Sequence, residues 1–212
     1  MYIAFSTYKV GGFDVGRETL EKLIEELGNF KQLKLENIPD IDLYMDQVTT
    51  FIEDKLGYLK RDKKDRTITK TMINNYTKAG ILMPPEKKKY SRQHMILIIL
   101  IYYLKQILSI GDIQSLFSPI VDSIMSGQYD EENLNNIYKT FLKIEDSQVK
   151  TFVEDFESKI EKQNILDGGC DNSGENSGEK LDELIVIVIM LVVKANIEKR
   201  MAEKIIDNFF KK

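Results

Sequence analysis

The sequence predicts an all-α protein: a helical head with additional helices, ending in one long C-terminal helix. Three observations carry that prediction. Apolar residues recur at helical spacing along most of the chain. Ile, Leu, Met, Lys and Glu dominate the composition, and the 12 glycines and 4 prolines fall between the apolar stretches. At 212 residues and 42% apolar content, the chain can bury one large core or two small ones.

Each element follows from its spacing. Residues 17–31 set Leu20, Leu23, Ile24, Leu27 and Phe30 on one helical face. Leu33 to Pro39 reads as a connection. The stripe returns at Ile41, Tyr44, Met45, Val48, Phe51, Ile52 and Leu56, and Gly57 stops it. YLKRDKKDR (58–66) is a polar loop dense in positive charge. Residues 67–79 predict a short helix that begins among threonines and ends at Gly80. Ile68, Met72, Ile73 and Tyr76 share its inner side, which leaves Lys70, Thr71, Asn74, Asn75 and Lys78 for the outer one. ILMPPEKKKYS (81–91), with two prolines and three successive lysines, predicts a tight extended excursion and the only convincing strand.

Ser91 is placed to cap an apolar helix running to about Leu108, and Ser109 to cap another that Pro119 interrupts or terminates. Asp130 to Asn164 reads as two acidic amphipathic helices, and DGGCDNSGENSGE (167–179) as a flexible linker. Residues 180–211 predict a single helix. Its heptad-like seam runs through Leu184, Val188, Leu191, Ala195, Ala202, Ile205 and Phe209, broken by Glu198. The expected organisation is a helical extension (1–35), a head (36–120), an acidic helical region (127–166), the linker (167–179) and the long helix (180–212).

Charge is unevenly spread. The chain carries −4 overall, yet Lys60 to Arg92 holds eleven Lys or Arg against three acids, a local +8 that leaves −12 elsewhere. A basic segment in an acidic chain bears on partners more than on fold. The single cysteine, Cys170, permits no internal disulfide and fits a reducing compartment. The N-terminus has no basic leader followed by an apolar run, and the apolar stretches Met95–Leu104 and Leu184–Val193 are half the length a bilayer requires. A cytoplasmic protein without membrane contact is the expectation.

The informative unit is residues 67–117. A helix entering the major groove needs short polar donors and acceptors on its outer face, which Asn74 and Asn75 supply; an Asn side chain pairs with both N6 and N7 of adenine. The flanking excursion needs cations for phosphates, a role that suits Lys87, Lys88 and Lys89, with Tyr90 and Arg92 beside them. The apolar stretch from Met95 to Leu104 would hold the reader rigid.

The stretch TMINNYTKAGILMPP, followed by KKYSRQHMILIILIYYLKQILSIGDIQSLF, resembles the DNA-binding region of MerR-type transcriptional regulators. Tyr76, Gly80, Ile81, Leu82 and Pro84 match the end of that family's recognition helix, Tyr90 and Ser91 the close of its wing, and Ser109, Ile110, Asp112 and Ile113 the following turn. The longer stretch from Ile38 to Pro119, with IPDIDLYMDQVTTF and ITKTMINNYTK, more closely resembles an uncharacterised bacterial family with a divergent MerR-like head. The resemblance implies a winged helix-turn-helix fold, double-stranded DNA as partner, and a homodimer through the long C-terminal helix. Leu184, Val188, Leu191, Ala195, Ile205 and Phe209 are the candidate dimer residues. The chain departs from the MerR pattern at Asn74 and Asn75, in the short 86–89 wing, and in the basic 58–66 loop that replaces a tight turn.

Other chemistry is thinly supported. His94 is the only histidine, so no second His or Cys exists for a nitrogen- or sulfur-ligated metal. Cys170 lies in linker sequence where nothing is placed to activate a thiol. GGFDVG (11–16) follows no strand signal, and Asp130, Glu131 and Glu132 suit a helix start. The expectation is therefore sequence-specific DNA binding and transcriptional regulation, without a cofactor, a metal or enzymatic activity. The alternative is a helical protein-interaction module that keeps the winged fold without binding DNA.

Overall fold

The computed structural model describes residues 17–29, 31–162 and 177–211. It is mostly helical, with a single two-stranded ladder among the described residues, and the all-α class holds. In chain order the elements are α1 (Arg17–Gly28), β1 (Leu43–Tyr44), α2 (Met45–Leu56), α3 (Lys70–Lys78), β2 (Lys89–Tyr90), α4 (Arg92–Leu104), α5 (Ile110–Met125), α6 (Glu131–Lys162) and α7 (Ser177–Phe209). Short 3-10 turns occupy Leu35–Asn37 and Gly57–Leu59.

The chain divides into two compact units, one from 1–31 and 146–191, the other from 32–145 and 192–212. In the first, the described core is small: Ile24, Phe156 and Ile187 are buried, with Leu20, Phe152, Val153, Met190 and Leu191 packed on them.

The second unit is built around α4. Every residue from His94 to Tyr102 is buried, so this helix is covered on all sides and needs no polar face. Val48, Ile52 and Leu56 of α2, Ile73 and Tyr76 of α3, and Ile113, Phe117 and Val121 of α5 join it in one core. Leu134 and Tyr138 of α6 and Ile206 of α7 complete that core, and the Tyr138 hydroxyl donates to the Leu33 carbonyl at 2.6 Å. Each fully buried aliphatic side chain contributes roughly 1.5–3 kcal/mol.

Local chemistry sets the boundaries. Thr69 caps α3 by accepting the Met72 N–H at 3.2 Å. The helix ends in a Schellman turn, with Gly80 at φ 70° and the Ile81 and Gly80 N–H groups donating to Tyr76 and Thr77. Ser109 caps α5, accepting from Asp112 N–H at 3.1 Å while donating its own hydroxyl to the Asp112 carboxylate at 2.6 Å.

Five expectations are corrected. The 41–56 stripe begins as a strand, not a helix: Leu43 pairs with Tyr90 and Tyr44 with Lys89, antiparallel, and α2 starts at Met45. The short helix starts at Lys70, because Thr69 is its cap. Pro119 neither ends nor splits α5; it is exposed, and it costs the helix only the hydrogen bond its missing N–H would have made. The described part of the 130–164 region, Glu131–Lys162, is one helix, α6, without the predicted break, and residues 163–164 lie outside the described residues. Residues 177–179 belong to α7, while the rest of the predicted linker, Cys170 included, lies outside the described residues, as does GGFDVG.

Candidate nucleic-acid interface

Helix α3 is held from behind and left open in front. Ile73 is fully buried and Tyr76 is 4% exposed, and burial pushes the Tyr76 phenol up to about 12. Thr71, Asn74, Asn75 and Lys78 are exposed. Among the described residues, the side chains of Asn74 and Asn75 have no hydrogen-bond partner, so their amides are available to an incoming ligand. Lys70 differs, because its ammonium pairs with Asp46 on α2.

The wing is a four-residue hairpin. The Lys89 N–H donates to the Glu86 carbonyl at 2.8 Å, and Lys87 and Lys88 sit between them with φ of 49° and 67°. Two successive positive φ values define a type I′ turn, which Asn and Gly adopt readily and lysine does not. Both lysines are exposed at its tip. Lys89 is drawn back, its ammonium 5.4 Å from the centre of the Tyr44 ring.

His94 staples the base of the wing. Its Nδ1 accepts from the Ser91 N–H at 3.1 Å and lies 2.8 Å from the Ser91 hydroxyl, while Nε2 reaches the Pro84 carbonyl at 3.4 Å. These contacts fix a neutral imidazole with its proton on Nε2. The ring also meets Tyr90 edge-on at 5.4 Å. Desolvation, the largest influence, holds His94 below its ordinary pKa of 6.5. Sequence reasoning passed over this role, although the Ser91–His94 spacing is that of a capping box.

Two predicted contact residues are spent inside the fold. Tyr90 is 2% exposed and belongs to the core, not to the outer face of the wing. Arg92 donates to the Leu35 carbonyl at 2.7 Å and faces Asp40 at 3.5 Å, so its guanidinium ties the chain before β1 to α4. Lys70, Thr71, Asn74, Asn75 and Lys78 therefore lie on α3, Lys87 and Lys88 on the wing tip, and Lys89 between wing and β1.

The predicted dimer seam on α7 is divided. Leu184 and Leu191 are half-buried, and Leu191 packs in the core of its own unit. Val188, Ala195, Ile205 and Phe209 are exposed. Val192, Val193, Ile197 and Met201, outside the seam, are exposed as well. Among the described residues, no cluster of His, Cys, Asp or Glu could hold a metal, and no helix is long and apolar enough to cross a membrane.

No curated protein and no solved structure matches the chain. A family model does match, over residues 33–141, which takes in β1 to α5 and the first third of α6. That span covers just over half of the chain, and the protein belongs to the family described as domain of unknown function DUF1836.

Proposed function

We propose that the protein binds double-stranded DNA through α3 and the wing, as a sequence-specific transcriptional regulator that acts by binding and not by catalysis. The observation that carries this reading is α3 itself, a helix locked into the core along one side with two unpartnered asparagines on the other. Such a helix fits the major groove, where an Asn amide pairs with an adenine edge. Lys87 and Lys88 at the wing tip supply cations for flanking phosphates. The residue pattern shared with MerR-type regulators supports the same assignment. Dimerisation through α7, using exposed Val188, Ala195, Ile205 and Phe209, would present two readers to a two-fold site in the cytoplasm.

Selection from a randomised duplex library at near-physiological salt tests the proposal. A short enriched motif with two-fold symmetry is expected. Asn74→Ala and Asn75→Ala would relax it at defined positions, since a bidentate contact contributes about 1–3 kcal/mol of discrimination. No retention of duplex would refute the reading.

A second reading rests on the exposed apolar side chains of α7, Val188, Val192 and Ile197 among them. Exposed apolar side chains in such number mark protein contact. On this reading the head is a scaffold and the ligand is another protein; failure to retain DNA, with a stable complex through α7, would favour it.

A further inference from the structure

From the loop between α2 and α3, we infer a second phosphate-binding element, formed by Arg61, Lys63, Lys64 and Arg66 and separate from the wing. The inference rests on the DNA-binding reading and extends it to a surface that a helix-turn-helix with a tight turn does not have.

A helix-turn-helix turn needs three or four residues. Here 13 residues separate Leu56 from Lys70. The excess is anchored at both ends to a single carboxylate. Glu53 takes the Lys60 ammonium on one oxygen and the Thr67 N–H on the other, the latter at 3.0 Å. The Lys60 hydrogen bond, then that of Thr67, holds the Glu53 carboxyl down at about 2, so the clip stays charged at neutral pH. Between the anchors, Asp62 organises a turn, accepting Lys64 N–H on its side chain at 2.8 Å and Asp65 N–H on its carbonyl at 3.1 Å. The loop is therefore closed and shaped, not a slack connection.

Its charges are unspent. Arg61, Lys63, Lys64 and Arg66 are all exposed, and among the described residues none of the four has an ion-pair partner. The neighbouring cations behave differently: Lys60, Lys70 and Arg92 each face a carboxylate. Only Asp62 and Asp65 offset the four cations within these six residues, which leaves the loop a local +2 in a chain of net charge −4. The loop also leads within three residues into Thr69, the cap of α3. Its charge thus adds to the positive end of that helix, where a phosphate would complete the arrangement. A duplex backbone bordering α3 is the polyanion this placement fits.

The test compares the full-length protein with a variant carrying Arg61→Gln, Lys63→Gln, Lys64→Gln and Arg66→Gln, titrating each onto a selected duplex over a range of salt. Each phosphate contact contributes about 0.9 to the slope of log affinity against log salt. The variant should lose about 2–4 from that slope and at least about tenfold in affinity near 0.1 M salt, while keeping its base preference and thermal midpoint. Duplex binding with an unchanged slope in the variant overturns this inference alone. Absence of duplex binding by the wild-type protein overturns both the inference and the reading beneath it. A slope lost on structured RNA but not on duplex would reassign the loop to a different partner and equally overturn it.

Discussion

Replacing Lys87 with Asn and Lys88 with Gly should make the protein more stable and its grip on DNA weaker. The wing tip holds both lysines at positive φ, 49° and 67°, in a turn closed by a 2.8 Å hydrogen bond. A left-handed conformation costs a non-glycine residue roughly 1–2 kcal/mol. Asn tolerates it better and Gly carries no such penalty, although Gly returns about 0.5–1 kcal/mol through the freedom it gives the unfolded chain. Neither lysine makes an internal contact that the change would remove. The net expectation is a gain of about 1–2 kcal/mol, which for a chain of this length raises the thermal midpoint by about 2–8 °C. Urea unfolding should give the same gain at an unchanged m-value. On a selected duplex, the loss of two phosphate contacts should lower the salt slope by up to about 1.8. A variant no more stable than wild type would refute the strain argument. A stabilised variant with an unaltered salt slope would refute the role assigned to the lysines.

Two further outcomes follow from the same unit. Thr69→Ala removes the side-chain acceptor of the Met72 N–H and should cost about 1 kcal/mol, read as a lower urea midpoint, because it frays the end of α3 nearest the proposed ligand. Stability should also fall as the pH drops below about 6.5, because the unfolded chain takes up a proton on His94 there while the folded imidazole, held below that value, resists it. Protonated Nδ1 would face the Ser91 N–H donor. The slope can reach at most about 1.4 kcal/mol per pH unit. With only one histidine in the chain, His94→Gln should flatten it; a slope that survives the substitution would assign it to other groups.

The helices were legible because their apolar residues carry the period: α2, α3 and α7 appear close to where the spacing put them. The misreadings have specific causes. Strand β1 is two residues long and abuts α2, so Ile41 and Tyr44 looked like the start of a helical stripe. Alternation over two positions carries no signal, and the partner strand is 45 residues away. The break expected in α6 has no Gly or Pro behind it, and the helix runs through. At the candidate site, the outward side of α3 was readable from its inner side. Arg92 and Tyr90 were misjudged because both looked like members of a basic excursion. What decides their roles, the Leu35 carbonyl and the surrounding core, is contributed by distant sequence.

The places where this head breaks local rules converge on one small region. Lysines occupy the turn positions that Asn and Gly favour, the only histidine is buried and kept neutral to hold the legs of the hairpin, and an aromatic ring on β1 backs the third lysine. A hairpin that makes no use of charge gains nothing from lysines at positive φ; Asn-Gly would close it at lower cost. Departures from local preference are expected where function demands them. The demand that lysine alone meets at these positions is positive charge, held at a fixed distance from α3 by a hairpin stapled at its base. On the proposed reading that requirement fits a polyanion ligand, and it favours DNA binding over the scaffold reading.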